Sequence, residues 1–308
     1  MNGIIVVDKP AGWTSHDVVA KLRGALRNAE NRALSDRERG EPAQPRRKPP
    51  KVGHGGTLDP MATGVLPVFV GKATRAAEFL ECADKEYIAG IRLGMTTDTQ
   101  DITGTTLSSR GASVTPEAFE SAIRLFQGAQ EQVPPMYSAI KIDGKKLYEI
   151  ARRGGEVPRP ARAITIYEIE LLGGCGDEFS FKVVCSKGTY IRTLCHDIGR
   201  KLGCGGTMSS LRRTRAGSFS VDAARPLEDV LALISSGEPE SAMLPTDAVF
   251  ARYPVITLGE AETLKCMAGA SFNAGAADDG TYRFYGPDNG FIALGQVKGA
   301  AAQSIKRF

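Results

Sequence analysis

The residues best suited to chemistry lie in one short segment, Gly-His-Gly-Gly-Thr-Leu-Asp-Pro at residues 53–60. Glycine lets another molecule approach the backbone closely, and Pro60 disfavours α-helical geometry at Asp59. One carboxylate is therefore presented on a loop, just ahead of an apolar run over residues 65–70 that predicts a buried strand. A loop on a rigid scaffold is a common position for a catalytic acid. An aspartate before proline also forms simple turns, so the loop by itself leaves both interpretations open.

The longer pattern Gly-His-x-Gly-Thr-Leu-Asp-Pro-x-Ala-x-Gly-Val-Leu, at residues 53–66, resembles the signature of the TruB family of tRNA pseudouridine synthases. Other segments strengthen the likeness, which covers roughly residues 3–225. They are Lys-Pro-x-Gly-x-Thr-Ser at 9–15, Lys-x-Tyr with Thr-Asp-Thr-x-Asp within 85–101, Cys-Ser-Lys-Gly-Thr-Tyr-Ile-Arg at 185–192 and Leu-Arg-Arg at 211–213.

Matching these motifs residue by residue gives each position an expected role. The resemblance implies that Asp59 is the catalytic aspartate, that Arg192 is its partner and that Tyr87 stacks on the target base. Arginine suits the pairing because it stays charged and can clasp a carboxylate with two hydrogen bonds. The other positions expected to contact the substrate are His54, Tyr190 and Leu211. Contacts with the RNA backbone are expected from Lys9, Lys141, Lys145, Lys146, Arg212 and Arg213.

Pseudouridine formation breaks the N-glycosidic bond of uridine, turns the uracil and rejoins it to the ribose through C5. Nothing is added or removed overall, so the resemblance implies neither a cofactor nor a metal. The family acts on uridine 55 in the T-loop of tRNA, so the target base must be flipped out of its stack. The carboxylate could attack the sugar or the base, or remove a sugar proton, and the sequence leaves these routes open.

The elements that must position these residues alternate between strands and helices. Strands are predicted over residues 3–7, 85–94, 164–172 and 179–185 from their apolar content and alternation. Helices are predicted from Thr14 to about Leu26, from Pro116 onward behind a Thr115 cap, and over residues 191–202. Together with the resemblance, they predict an α+β pseudouridine synthase fold: a central mixed, largely antiparallel sheet flanked by helices.

Two domains are expected in the 308 residues. Residues 1–235 would form the catalytic domain, with residues 27–50 as a basic, proline-rich insertion, either a passive loop or an RNA-contacting arm. That stretch accounts for the whole net charge of +4 once its neighbour Lys51 is included. A linker is predicted over residues 233–241. Short strands and turns over residues 245–308 predict a small β domain that resembles the PUA-like RNA-binding domain of bacterial relatives.

Composition narrows the class of protein further. The six cysteines form no C-x-x-C pair and only three histidines are present, a pattern that predicts no zinc site and reduced thiols in a cytoplasmic protein. No apolar run approaches the ~20 residues needed to span a membrane. The expected partner is the T-arm of tRNA, bound by a monomer. Two other classes stay open: an RNA-binding or tRNA-folding protein with a vestigial site, and a sugar hydrolase with a single aspartate.

Overall fold

The structure, a computed structural model, describes residues 1–37, 50–142 and 144–308, with the backbone alone described for residues 33–37. The helices are α1 (Ser15–Arg37), α2 (Ala77–Glu81), α3 (Pro116–Arg124), α4 (Leu147–Ala151), α5 (Ile191–Lys201), α6 (Leu227–Ser235) and α7 (Glu260–Ala268). The strands are β1 (Gly3–Lys9), β2 (Val52–His54), β3 (Thr63–Val70), β4 (Lys85–Leu93), β5 (Met95–Thr97), β6 (Thr106–Ser109), β7 (Gly128–Gln132), β8 (Lys141–Ile142), β9 (Lys145–Lys146), β10 (Arg162–Cys175), β11 (Glu178–Cys185), β12 (Gly206–Ala216), β13 (Phe219–Ser220), β14 (Arg225–Pro226), β15 (Val255–Thr257), β16 (Phe272–Asn273), β17 (Gly280–Tyr285), β18 (Phe291–Lys298) and β19 (Ala301–Arg307).

A ten-stranded mixed sheet forms the larger part of the molecule, in the order β14-β1-β3-β12-β4-β11-β10-β7, with β2 and β13 as side branches. The pairs β1–β14 and β3–β12 are parallel and the others are antiparallel, so the predicted largely antiparallel sheet is confirmed. The backbones of the parallel pair β3–β12 approach each other closely at Gly64. A Cβ added to Gly64 would lie 2.2 Å from the carbonyl oxygen of Arg213, and this position adopts a φ of +100° that favours glycine.

The elements predicted to carry the site are present with small shifts in their ends. The Thr14 backbone N–H donates to Asp17 at 2.9 Å and the Asp17 N–H donates to the Thr14 hydroxyl at 3.0 Å, which confirms the capping pattern that begins α1. The Thr115 hydroxyl likewise accepts the Ala118 N–H ahead of α3. Helix α5 ends just before Gly203, which adopts a φ of +74°.

Two sequence predictions about chain connections were wrong. Helix α1 does not stop near Leu26, because Ala29 still packs in the core and Arg32 donates to the Ile234 carbonyl of α6. The predicted insertion therefore begins as helix, and its residues 38–49 lie outside the described residues. The predicted linker at 233–241 starts inside α6, since Ile234 is fully buried in the main core.

A second, five-stranded sheet is built from the end of the chain in the order β15-β17-β18-β19-β16. It contains the strands predicted there and has its own apolar cluster around Phe284 and Val297. Phe250 and Leu294 also share a cluster with Phe69 and Leu80 of the larger part. The two sheets are therefore joined by packed apolar side chains. None of the helices in the described ranges is long and apolar enough to cross a membrane.

Candidate active site

The centre of the site is the pair Asp59 and Arg192, which are brought together from positions 133 residues apart in the chain. The Arg192 Nη2 donates to Asp59 Oδ1 at 3.3 Å, and Nε lies 2.9 Å from Oδ2. Arg192 is 4 % exposed, whereas about a third of the Asp59 side chain is accessible, at 34 %. The carboxylate is therefore held from inside by a fixed cation while one side of it stays open.

Other parts of the chain fix the Arg192 guanidinium. Its Nη2 also donates to the Tyr137 carbonyl at 2.8 Å, and its Nη1 donates to the Thr99 carbonyl at 3.1 Å. Asp101 Oδ2 lies 3.8 Å from Nη1. Because a guanidinium is planar, contacts on several edges leave it little freedom to rotate. Its orientation toward Asp59 is set before any substrate arrives.

Asp101 is a further functional candidate. It ends the Thr-Asp-Thr-x-Asp motif, and its sequence position predicted no role for it. It is buried at 5 % exposure, and its Oδ1 accepts hydrogen bonds from the Thr99 and Thr103 hydroxyls at 2.9 and 2.6 Å. The other oxygen faces Arg192. The alternation of threonine and aspartate over residues 97–101 was the signal, because such residues bond one another in tight turns.

The protonation of Asp59 reflects competing influences. Burial raises the pKa of its carboxyl above the usual 3.8, the Arg192 guanidinium opposes that rise, and the Asp101 carboxylate adds to it. Desolvation disfavours a charged group and a nearby cation favours it. Burial is the larger influence, so the pKa of Asp59 is raised overall, and Arg192 is the main group that favours the anion.

The loop that carries Asp59 is tied on both sides to the segment that joins β1 to α1. The Leu58 N–H donates to the Ser15 hydroxyl at 2.8 Å, and that hydroxyl lies 3.1 Å from the Leu58 carbonyl. The Pro60 carbonyl accepts the Gly12 N–H at 2.8 Å and the Lys9 ammonium at 3.3 Å. Both neighbours of the acid are therefore held by a different part of the chain.

Lys9 and Arg213 require a correction, because both were predicted to contact RNA. They are 0 % and 1 % exposed. Lys9 Nζ donates to the carbonyls of Pro10, Trp13 and Pro60. Arg213 donates through Nε to Val65 at 2.7 Å and through its Nη atoms to Thr57 and Gly56 at 3.4 and 3.2 Å. Side chains enclosed in this way hold the Asp59 loop and do not face solvent phosphates.

The aromatic candidates Tyr87 and Tyr190 lie within the electrostatic reach of Asp59, since its charge contributes to raising the pKa of each phenol. The largest influence on both pKa values is burial. For Tyr87 the Arg213 guanidinium opposes that rise. Tyr87 is 8 % exposed and lies on β4, while Tyr190 immediately precedes α5. The charge of the acid thus reaches both phenols, and their contact with a base stays a prediction.

His54 and Leu211 complete the set of predicted substrate contacts. Burial and Arg213 lower the pKa of the His54 imidazole, so it is neutral near pH 7. Its Nδ1 is enclosed and finds no hydrogen-bond partner among the described residues. Leu211 of β12 lies opposite Ala89 of β4, and the next same-facing pair along the two strands is Arg213 with Tyr87.

The remaining basic candidates are more exposed than Lys9 and Arg213. Lys141 and Lys145 are exposed on the short hairpin of β8 and β9, and Lys146 lies 5.3 Å from the centre of the Tyr148 ring. Arg212 is half exposed and pairs with Asp8 at 2.7 Å, at the edge of a cavity of about 570 Å³ that Trp13 also lines. Their contacts with RNA stay predictions. Within the described ranges, no group of three or more His, Cys, Asp or Glu residues has the geometry to hold a metal ion.

Comparison with known proteins shows the family of the chain. The model of the TruB family pseudouridylate synthase N-terminal domain matches residues 45–191, and that of the tRNA pseudouridylate synthase B C-terminal domain matches residues 192–251. The tRNA pseudouridine synthase B of Clostridium kluyveri is 40 % identical, with 100 % of both chains covered. The protein of that name from Aromatoleum aromaticum is 41 % identical and is matched over 100 % of this chain and 92 % of its own length.

Solved structures show the same fold. A crystal structure of a Cbf5-Nop10-Gar1 complex contains a chain that is 29 % identical, with a TM-score of 0.70 over 99 % of this chain and 84 % of that one. An H/ACA RNP bound to a substrate RNA containing 2'-deoxyuridine gives 27 % identity, the same TM-score and the same coverage. Fold and site together define a pseudouridine synthase. Among these enzymes, the chain belongs to the TruB family.

Proposed function

We propose that this protein isomerises uridine 55 in the T-loop of tRNA to pseudouridine, with Asp59 as its catalytic carboxylate. The single observation that carries the proposal is the Asp59–Arg192 pair, in which a buried guanidinium contacts a partly accessible carboxylate and favours its charged form. Family membership and relatives named tRNA pseudouridine synthase B support the same activity.

Each route open to the carboxylate needs it ionised inside the site. Attack on the sugar, attack on the base and removal of a sugar proton all begin from the anion. Arg192 favours this state by opposing the effect of burial on the pKa of Asp59. When the uracil rejoins the ribose through C5, the C5 proton leaves to solvent and N1 gains a proton, so the overall reaction is balanced.

The side chains around the acid have separate proposed roles. Tyr87 stacks on the flipped uracil, and Tyr190 and Leu211 line the same site. His54, on the same loop as Asp59, contacts the nucleotide. The exposed lysines of the β8–β9 hairpin bind the phosphate backbone, which supplies much of the affinity for RNA.

The decisive experiment measures release of tritium from tRNA labelled at uracil C5, comparing the wild type with Asp59→Asn. We expect release by the wild type and a loss of at least ~10³-fold in the variant, since a positioned reactive group contributes on that order. A tRNA with cytidine at position 55 is the substrate control and should release no tritium above background from that loop. An RNA-binding protein with a vestigial site would bind both tRNAs without any release.

The organisation of the molecule is part of the proposal. Residues 1–235 form the catalytic domain and residues 245–308 form a PUA-like domain that contributes to RNA binding. We further propose that the protein works as a monomer in the cytoplasm. Mass measurement in solution with and without tRNA tests whether the protein is a monomer. A second copy of the protein in the complex would contradict that proposal.

A further inference from the structure

A buried glutamine connects the start of helix α5 to a strand at the far edge of the sheet. Gln132, the last residue of β7, is 5 % exposed. Its Nε2 donates to the Tyr190 carbonyl at 3.0 Å, and its Oε1 accepts the Tyr190 N–H at 2.8 Å. The side-chain amide therefore pairs with both backbone groups of one residue, in the manner of a neighbouring strand.

That contact does what the N3 side chain of a capping box does, because it bonds the N–H of the N-cap residue. Tyr190 is the N-cap residue of α5 and makes no side-chain cap bond, so Gln132 satisfies a buried backbone N–H that the helix itself does not. Two residues further along, Arg192 points its guanidinium at Asp59. The position of α5 relative to the acid thus depends on a side chain from a distant part of the sequence.

The segment that follows Gln132 also contacts Arg192. Its Tyr137 carbonyl accepts Arg192 Nη2 at 2.8 Å, and the Tyr137 hydroxyl donates to Asp98 at 3.2 Å. Residues 132–137 therefore hold both ends of the short stretch 190–192. They continue directly into the lysine hairpin of β8 and β9.

We propose that Gln132 is a positioning residue for the reaction, and that its side-chain amide sets where Tyr190 and Arg192 stand against Asp59. The inference rests on the proposed function for its catalytic consequence. It does not make Gln132 a catalytic residue, because the amide touches only backbone groups of the chain and is enclosed by protein. A positioning role for Gln132 adds β7 to the site, although β7 carries none of the residues proposed to act as acid, to stack on the base or to bind phosphate.

The test substitutes Gln132→Met, which keeps the volume and removes both hydrogen bonds. The matched control is Gln130→Met, two residues earlier on β7, where the side chain bonds only to the Phe126 carbonyl. We expect kcat for tRNA to fall by roughly 10- to 100-fold in Gln132→Met, because small misplacements of reacting groups cost that much. The Kd for tRNA should change less than about threefold, since the exposed lysines that bind phosphates are untouched.

A second readout separates positioning from a general loss of packing. The groups that face the Asp59 carboxyl are Arg192 of α5, Asp101 after β5, Lys9 of β1, Tyr87 of β4 and Tyr190. Of these, Gln132 bonds to Tyr190, which precedes the helix that carries Arg192. Loosening Arg192 should raise the pKa of Asp59, so the acid limb of the kcat profile should move to higher pH by about half a unit or more.

Titration of the Asp59 carboxyl carbon by NMR in the free protein, assigned from its absence in Asp59→Asn, should show the same shift without RNA. If Gln132→Met is too unstable, Gln132→Asn keeps the amide on a stem too short to reach both backbone groups and should shift both readouts in the same direction. Unchanged titration of Asp59, or a kcat equal to that of Gln130→Met, would overturn the inference. A wild type that releases no tritium would instead refute the proposed function, and the NMR titration would still decide the role of Gln132.

Discussion

The basic residues around Asp59 and those of the β8–β9 hairpin have the same chemistry and opposite surroundings. Lys9, Arg192 and Arg213 are all less than 5 % exposed, and their donors are directed at backbone carbonyls or carboxylates. Lys141 and Lys145 are exposed on a two-residue pair of strands. One group holds the protein together at the acid, and the other is available to a ligand.

The difference shows what a cation needs in each place. A buried cation is stable only where oxygen atoms replace the water it has lost, so its neighbours become fixed with it. An exposed lysine keeps its water and its rotamers and can follow a phosphate wherever the RNA places it. The rigid cations therefore surround the acid, and the adaptable ones lie on the hairpin that is proposed to bind RNA.

The largest effect should come from the buried cation that touches the acid. Arg192→Lys keeps the charge but cannot reproduce the contacts with Asp59, Thr99 and Tyr137 together. We expect the single-turnover rate at saturating tRNA to fall by about 10²- to 10³-fold, as for other losses of preorganised charge. Thermal unfolding serves as the check on folding, and turnover within threefold of wild type would show that the pairing is not required.

Arg212 and Arg213 are neighbours on β12. Arg212 is half exposed and Arg213 is buried, so the two allow an exposed and a buried cation to be compared within one strand. Arg213→Met removes donors to three carbonyls and should lower the free energy of unfolding by about 2–4 kcal/mol, because each buried acceptor left unpaired is costly. Arg212→Met removes a half-exposed ion pair with Asp8 and should cost less than about 1 kcal/mol. Urea denaturation measures both, and equal losses would mean that burial does not distinguish them.

Lys9 allows a test through pH. Burial lowers the pKa of its ammonium from 10.5 to about 8, so between those values the unfolded chain binds a proton that the folded protein does not. The free energy of unfolding should therefore rise with pH across this interval, by up to about 1.4 kcal/mol per unit from this residue. Lys9→Met should reduce the slope. Lys85, whose pKa burial also lowers to about 8, should contribute a similar slope in both proteins. The matched substitution at exposed Lys21 should leave the slope unchanged, and a slope in Lys9→Met equal to that of the wild type would assign the effect elsewhere.

The smallest effects are expected in the hairpin. Lys145→Ala should weaken tRNA binding a few-fold and lower the salt dependence of binding by the equivalent of about one contact. The single-turnover rate at saturating tRNA should stay within about twofold. Lys201→Ala, at the exposed end of α5, is the control, because it also removes one exposed positive charge. An equal loss of tRNA binding in Lys201→Ala would show that the hairpin does not bind RNA specifically.

The pairing of Asp59 with Arg192 could be predicted from sequence because each residue lies in a long, specific motif. The burial of Lys9 and Arg213 could not, since a basic residue in a motif looks the same whether it meets a phosphate or a carbonyl. Gln132 also gave no signal, because its contact joins residues 58 positions apart. Helix α1 continued past Leu26 because Ala29 and Arg32 make contacts with elements far along the chain, which its weak periodicity did not reveal.

The position of β12 in the large sheet bears on how the enzyme is made. This strand lies between β3 and β4, although it follows both by more than a hundred residues. While the ribosome is still adding the first two hundred residues, the two halves of the sheet have no strand to join them. Such long-range pairing is slow. We therefore expect the nascent chain to expose the unpaired edges of β3 and β4 until residue 216 has emerged from the exit tunnel.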